Sequence, residues 1–197
     1  MLKKSMVILS ASALALAACG QKTETTANDT TLATNDTTAF DANTAGTADA
    51  NATAPAKGSQ AFVNSAAASD AFEIATSKLA LDNSSSAAVK KFANQMIAAH
   101  TASTDKLKAT TAGLTPALTP DPKLNPEQQT LVDTLKTKKG ADFDAAYIAA
   151  QQSGHQQTLD LLRGYAATGD VPALKTFASG LVPTVAAHLN MAKGLKS

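Results

Sequence analysis

The side chains best suited to chemistry in this 197-residue chain are its three histidines, each in a different predicted helix. His100, His155 and His188 each continue a series of apolar residues spaced at three or four positions, which marks the inward face of a helix. A fourth helical segment carries Glu73 on the corresponding face. Imidazole and carboxylate groups together bind iron, zinc or manganese, and metal sites in bundle cores take ligands from facing helices. The pattern therefore suggests a metal site.

The same pattern has a second interpretation, a buried cluster whose polar members only hydrogen-bond to their neighbours. The chain has no H-x-x-H or E-x-x-H pair to favour the metal. Measured from the turn near Gly169, His155 and His188 differ in height by about 6 Å, close enough to share a site. From the turn near Asn83, Glu73 and His100 differ by about 10 Å, which predicts that Glu73 lies in another layer. Tyr147 shares the face of His155 and is a candidate partner for a ligand.

The elements that position these residues are all predicted to be helices, because apolar residues follow a helical period throughout residues 59–197. We predict long helices over about 60–81, 87–112, 142–167 and 171–195, with Asp170 capping the last and Pro183 inside it. A short helix opens at Asn125-Pro126 and closes at Lys138-Lys139-Gly140. Four long helices and one short one predict an all-α, four-helix bundle.

The N-terminal segment, residues 1–18, has the pattern of a lipoprotein signal peptide. Lys3 and Lys4 precede an apolar run that is too short to span a membrane. Leu16-Ala17-Ala18-Cys19 resembles a bacterial lipobox, in which the chain is cut before the cysteine and the cysteine is lipidated. Cys19 is the only cysteine and has no partner for an intramolecular disulfide. We therefore predict a lipid anchor at Cys19, most simply in the outer membrane and facing the periplasm.

Residues 19–58 have the composition of a flexible tether. Thr, Ala, Asn, Asp and Gly dominate, and Leu32 and Phe40 are the large apolar residues after Cys19. Such a segment buries too little apolar surface to offset the entropy of ordering. Removing Lys3 and Lys4 from 17 basic residues leaves 15 against 16 acidic ones. This balance, with no basic cluster, gives no indication of nucleic-acid binding.

Four stretches of the predicted bundle carry a likeness to a known family: FVNSAAASDAFEIATSKLA, VKKFANQMIAAHT, FDAAYIAAQQSGHQQTLDLL and LKTFASGLVPTVAAHLNMAKGL. Together they resemble a family of exported bacterial proteins, domain of unknown function 4142. The spacing from Phe143-Asp144 to Tyr147 to His155, and from Leu181-x-Pro183 to His188, carries much of the likeness. The resemblance implies a ferritin-like four-helix bundle, often a lipoprotein, without an established activity. It also implies an acidic residue directly before two of the histidines, where this chain has Ala99 and Gly154.

Two functions follow from this sequence. The first is a tethered envelope lipoprotein, more simply a binding module than an enzyme, whose bundle takes a protein or small-molecule partner. The second is a metal-binding or redox protein that uses His100, His155 and His188, with Glu73 or Tyr147 in support. Motifs of the common hydrolases, nucleotide-binding loops and paired-cysteine sites are absent from the sequence. Few acidic residues lie on the inward faces of the helices to complete a metal or redox site, which favours the first function.

Overall fold

Five α-helices account for 82% of residues 57–197, the part of the chain that the computed structural model describes. They are α1 (Lys57–Asn83), α2 (Ala87–Ala112), α3 (Pro126–Lys136), α4 (Gly140–Thr168) and α5 (Pro172–Gly194). The described range contains no β-strand, which confirms the all-α prediction. The predicted signal peptide, Cys19 and all but the last two residues of the predicted tether lie outside the described residues. No described helix is both long and apolar enough to cross a membrane.

Local side-chain chemistry sets two of the helix starts. The Ser86 side chain accepts a hydrogen bond from the backbone N–H of Val89 and caps α2. At α3, Asn125 and Gln128 form a capping box, in which each side chain accepts from the other residue's backbone N–H. Pro126 occupies the first turn, where a missing N–H costs nothing. The predicted starts of these two helices are confirmed.

Two predicted helix ends are wrong. Asp170 does not cap α5: Val171 is the N-cap and has no side-chain cap bond, because Pro172 fixes the first helical position one residue further on. The carboxylate of Asp170 instead accepts hydrogen bonds from Ser59 and Tyr165. Gly140 does not close α3, which ends at Lys136. It opens α4 with φ of 58°, a left-handed conformation that favours glycine.

The four long helices form a closed ring of contacts. The pairs α1–α2 and α4–α5 are joined by short turns, and α1 also contacts α4 while α2 contacts α5. The short helix α3 lies against α1 and α4. Side chains from all four long helices can therefore meet inside the bundle, as the histidine pattern requires.

A layer of buried polar side chains divides the hydrophobic core in two. One cluster lies toward the α1–α2 turn and the other toward the α4–α5 turn. Along α2 and α4, the core residues before His100 and His155 belong to the first cluster and those after them belong to the second. Glu73, His100, His155 and His188 are all buried at this level. The large residues of the two clusters include Phe72, Phe92 and Phe143 in the first and Phe62, Leu107 and Phe177 in the second.

Candidate metal centre

The three histidine rings form a nearly equilateral triangle inside the bundle. Their centroids are 5.6 Å apart for His100 and His155, 5.8 Å for His100 and His188, and 5.5 Å for His155 and His188. One nitrogen from each ring lies within 4.8 Å of a nitrogen from each of the others. The prediction that His155 and His188 are close enough to share a site is confirmed, and His100 joins them.

Asp70 on α1 fixes the orientation of the His100 ring. Its Oδ1 lies 2.8 Å from His100 Nδ1, and Thr104 donates to its Oδ2 at 3.3 Å. Because a carboxylate accepts, Nδ1 carries the proton and the lone pair of the neutral ring lies on Nε2. Burial lowers the pKa of His100, but the hydrogen bond to Asp70 and the charge of Glu73 outweigh it and raise the pKa. This carboxylate–histidine arrangement is the one that supports histidine ligands in metal sites.

His155 and His188 are held as neutral rings. His155 Nδ1 donates to the backbone oxygen of Gln151 at 2.8 Å, so its Nε2 bears the lone pair. Burial lowers the pKa of His155 to about 3, helped by the charge of His100. Burial also lowers the pKa of His188 to about 4, again with a contribution from His100. Neutral imidazole is the form that binds metal.

Glu73 brings a carboxylate to the same layer. Its Oε1 lies 3.5 Å from His155 Nδ1. The prediction of a separate layer is wrong because the turn occupies Ser84 to Ser86. Counted from the facing helix ends, Glu73 and His100 differ in height by only about 4 to 5 Å. Burial raises the pKa of Glu73 to about 7, partly opposed by the charge of His100.

Three buried ring nitrogens of this layer have no hydrogen-bond partner among the described residues. They are His100 Nε2, His155 Nε2 and His188 Nδ1. Leaving such an atom unpaired in a core costs about 1 to 3 kcal/mol, so native proteins rarely do it without a reason. Atoms of this kind gathered in one layer indicate a site for a cation.

Gly154 makes room for the Glu73 carboxylate. A Cβ added at Gly154 would lie 2.9 Å from Glu73 Oε1 and 3.3 Å from Phe72 Cε1, closer than ordinary contact. The acidic neighbour that the family resemblance implies before His155 is absent, and Glu73 on α1 supplies a carboxylate beside that ring instead. Glycine at position 154 therefore leaves the space that the Glu73 carboxylate occupies.

Tyr147 lies on the same buried face of α4, two turns before His155. Its hydroxyl group is 2.8 Å from Ser77 Oγ, and burial raises its pKa above the ordinary tyrosine value. The Phe92 ring contacts both, with centroid distances of 6.3 Å to Tyr147 and 6.3 Å to His155. The supporting role predicted for Tyr147 therefore stays a prediction, with Phe92 as the contact that links it to His155.

The donor set fits one metal ion better than two. Three imidazole nitrogens, with the Glu73 carboxylate nearby as a balancing charge, suit a single iron, zinc or manganese ion. Metal–nitrogen bonds of about 2.1 Å in a tetrahedral site need nitrogens about 3.4 Å apart. The nitrogens here lie within 4.8 Å of one another, so each pair would have to move closer by at most about 1.4 Å to bind an ion in this geometry. A two-metal carboxylate site needs several bridging acids, and the second acid here, Asp70, is bonded to His100.

Sequence reasoning missed Asp70 and the role of Gly154. Asp70 precedes Glu73 by three positions, so both carboxylates project from neighbouring parts of one helix face. An aspartate within a long run of small and apolar residues on α1 was the available signal. For Gly154 the sequence holds no signal, because the close approach comes from another helix.

Comparison with known proteins places the chain in one family. No curated protein and no solved structure matches it. The family model described as "Domain of unknown function (DUF4142)" matches residues 44–195, which include all five helices and the residues of the candidate site. The match begins inside the predicted tether. The chain belongs to the DUF4142 family, whose function is unknown.

Proposed function

We propose that this protein binds one divalent transition metal ion, iron, zinc or manganese, in the polar layer of its bundle. The proposal rests on one observation: three histidine nitrogens lie within 4.8 Å of one another in a buried layer, beside the buried carboxylate of Glu73. Among the described residues, His100, His155 and His188 are the cluster with this geometry. The metal-binding function is therefore better supported by the geometry than the partner-binding one that the sequence favoured.

Each ligand has a distinct role in the proposed site. His155 and His188 supply lone pairs without first losing a proton, since burial holds both rings neutral. His100 supplies Nε2 and is oriented by Asp70. Glu73 supplies negative charge that offsets the charge of the ion. A bound ion would supply Lewis acidity, and iron or manganese would add one-electron chemistry.

We also propose that the bundle is a cell-envelope lipoprotein. Support comes from the N-terminal pattern alone: Lys3 and Lys4, a short apolar run, and a lone cysteine after Leu16-Ala17-Ala18. Under this proposal the acylated Cys19 holds the protein on the membrane. The predicted tether then places the metal-binding bundle in the periplasm.

The test is a comparison of wild type, His188→Ala and Leu189→Ala, all purified without chelators or a histidine tag. Leu189 is the next residue on α5 and is also buried, so Leu189→Ala removes core packing but no ligand. Elemental analysis after loading with Fe²⁺, Zn²⁺ or Mn²⁺ should give about one ion per chain for wild type and Leu189→Ala. His188→Ala should retain little metal while staying helical by circular dichroism.

Two outcomes would contradict the metal proposal. One is a wild type that binds none of the three metals and whose melting temperature is unchanged when any of them is added. The other is a His188→Ala protein that binds metal as wild type does. The first result is also what the alternative function, a metal-free bundle that binds a partner, would produce.

A further inference from the structure

A small cavity borders the histidine cluster on one side. It has a volume of about 30 Å³, and its wall includes His100 and His188 together with Ala66, Ala99 and Phe177. His155 and Glu73 are not part of this wall. The cavity therefore borders the cluster on the side of His100 and His188, whereas Glu73 lies beside His155.

The size of the cavity limits what it can hold. A water molecule needs roughly 10 to 15 Å³ of space measured in this way, so the cavity takes about two waters or one diatomic molecule. A larger organic substrate does not fit without movement of the helices. The cavity is too small for most metabolites and large enough for one small ligand beside an ion.

The chemistry of the wall favours a neutral ligand over an anion. Most of the exposed wall is apolar, with Phe177, Leu181 and Val185 among its residues. Asp70 also lines the cavity, and its negative charge together with that of Glu73 offsets the two positive charges of a divalent ion, so an anion gains little net attraction. A neutral molecule avoids the loss of hydration that an anion would suffer in an apolar cavity.

We infer that this cavity is the binding position for a neutral diatomic or water-sized molecule coordinated to the metal. This inference rests on the proposed function, because the ion provides the binding atom. Three histidine ligands leave at least one coordination position free on a four-, five- or six-coordinate ion. The cavity provides space for that further ligand beside His100 and His188.

The probe is nitric oxide, added without oxygen to the purified full-length chain loaded with Fe²⁺. Iron content is measured first, and the nitrosyl signal is then followed by electron paramagnetic resonance. Wild type should give a high-spin ferrous nitrosyl signal in proportion to its iron. Ala99→Val, which extends a side chain of the cavity wall, should weaken nitric oxide binding at least tenfold while iron content is kept.

Matched substitutions on the same helix separate cavity filling from general disturbance. Ala98 and Ala102 are exposed on α2, whereas Ala99 and Ser103 belong to the cavity wall. Ala98→Val and Ala102→Val should leave nitric oxide binding unchanged. Ser103→Val fills the cavity from the next turn and decides the matter if Ala99→Val does not fold or loses iron.

The results distinguish this inference from the proposed function. Iron-loaded wild type without a nitrosyl signal would overturn the cavity inference and leave metal binding intact. Unchanged nitric oxide affinity in a folded, iron-loaded Ala99→Val and Ser103→Val pair would do the same. A wild type that retains no metal would overturn both proposals.

Discussion

Alanine at Gly154 provides a direct test of how Glu73 is packed. In the middle of a helix, Gly→Ala stabilises by about 1 kcal/mol because alanine has the higher helix propensity. At Gly154 the new Cβ would lie 2.9 Å from Glu73 Oε1 and 3.3 Å from Phe72 Cε1. Overpacking of this kind costs about 1 to 3 kcal/mol, so the gain should be cancelled or reversed.

Gly164 is the matched control, because it lies in the same helix α4 and a Cβ there meets no atom within 4 Å. We expect Gly164→Ala to stabilise the protein by about 0.5 to 1 kcal/mol. Gly154→Ala should be less stable than Gly164→Ala by about 1 to 3 kcal/mol. The assay is urea unfolding followed by circular dichroism, with chelator present so that metal does not contribute.

Metal binding gives the second readout of the same pair. If Glu73 is a ligand, pushing its carboxylate away should weaken metal binding at least tenfold in Gly154→Ala and leave Gly164→Ala like wild type. Equal stabilisation by both alanines, with metal binding like that of wild type in both, would show that Glu73 is not held against Gly154.

Three further predictions concern the orientation of His100 by Asp70, the pH dependence of metal binding and the lipid anchor at Cys19. Asp70→Asn should weaken metal binding by about 10- to 100-fold, as for other partners of ligand histidines. With a chelator present, the free energy of unfolding should change little. Unchanged metal affinity in a competition assay would contradict this prediction. Between pH 5 and 6.5 the logarithm of metal affinity should rise with pH at a slope of about two, because the pKa values of His100 and Glu73 are raised and those of the other two histidines are lowered; a slope of three or more by dye competition would speak against this. Cys19→Ser should abolish labelling by a fatty-acid probe, and persistent labelling would exclude acylation at that residue.

The periodicity of apolar residues was enough to predict five helices and the inward direction of all three histidines. Helical spacing depends on the chain alone, and a histidine among apolar residues must face the same way as its neighbours. The capping box at Asn125 was predictable for the same reason, since its partners are three residues apart. Local spacing along the chain therefore predicts the helices and the surface of each that faces the core.

Relations between helices were harder to predict. Placing Glu73 relative to His100 needed the length of the turn, because counting from Asn83 instead of Ala87 adds four residues, or about 6 Å, to the height of His100. The pairing of Asp70 with His100 joins α1 to α2 across 30 positions, and the room at Gly154 depends on α1. Apolar spacing does not report these contacts, because it says which face is buried but not what lies opposite.

The energetics of burial connect the fold to the proposed function. A bundle of this size is stable by only about 5 to 15 kcal/mol, and hydrophobic residues in the polar layer would make a more stable core than unpaired polar ones. The chain instead places four ionisable side chains there, supports one with Asp70 and clears space for another at Gly154. A cation bound by the native state, and not by the unfolded chain, would satisfy the three unpaired ring nitrogens and stabilise the fold in proportion to its binding. The arrangement is therefore unfavourable as core packing and favourable as a binding site, which is the physical basis for assigning it to a metal.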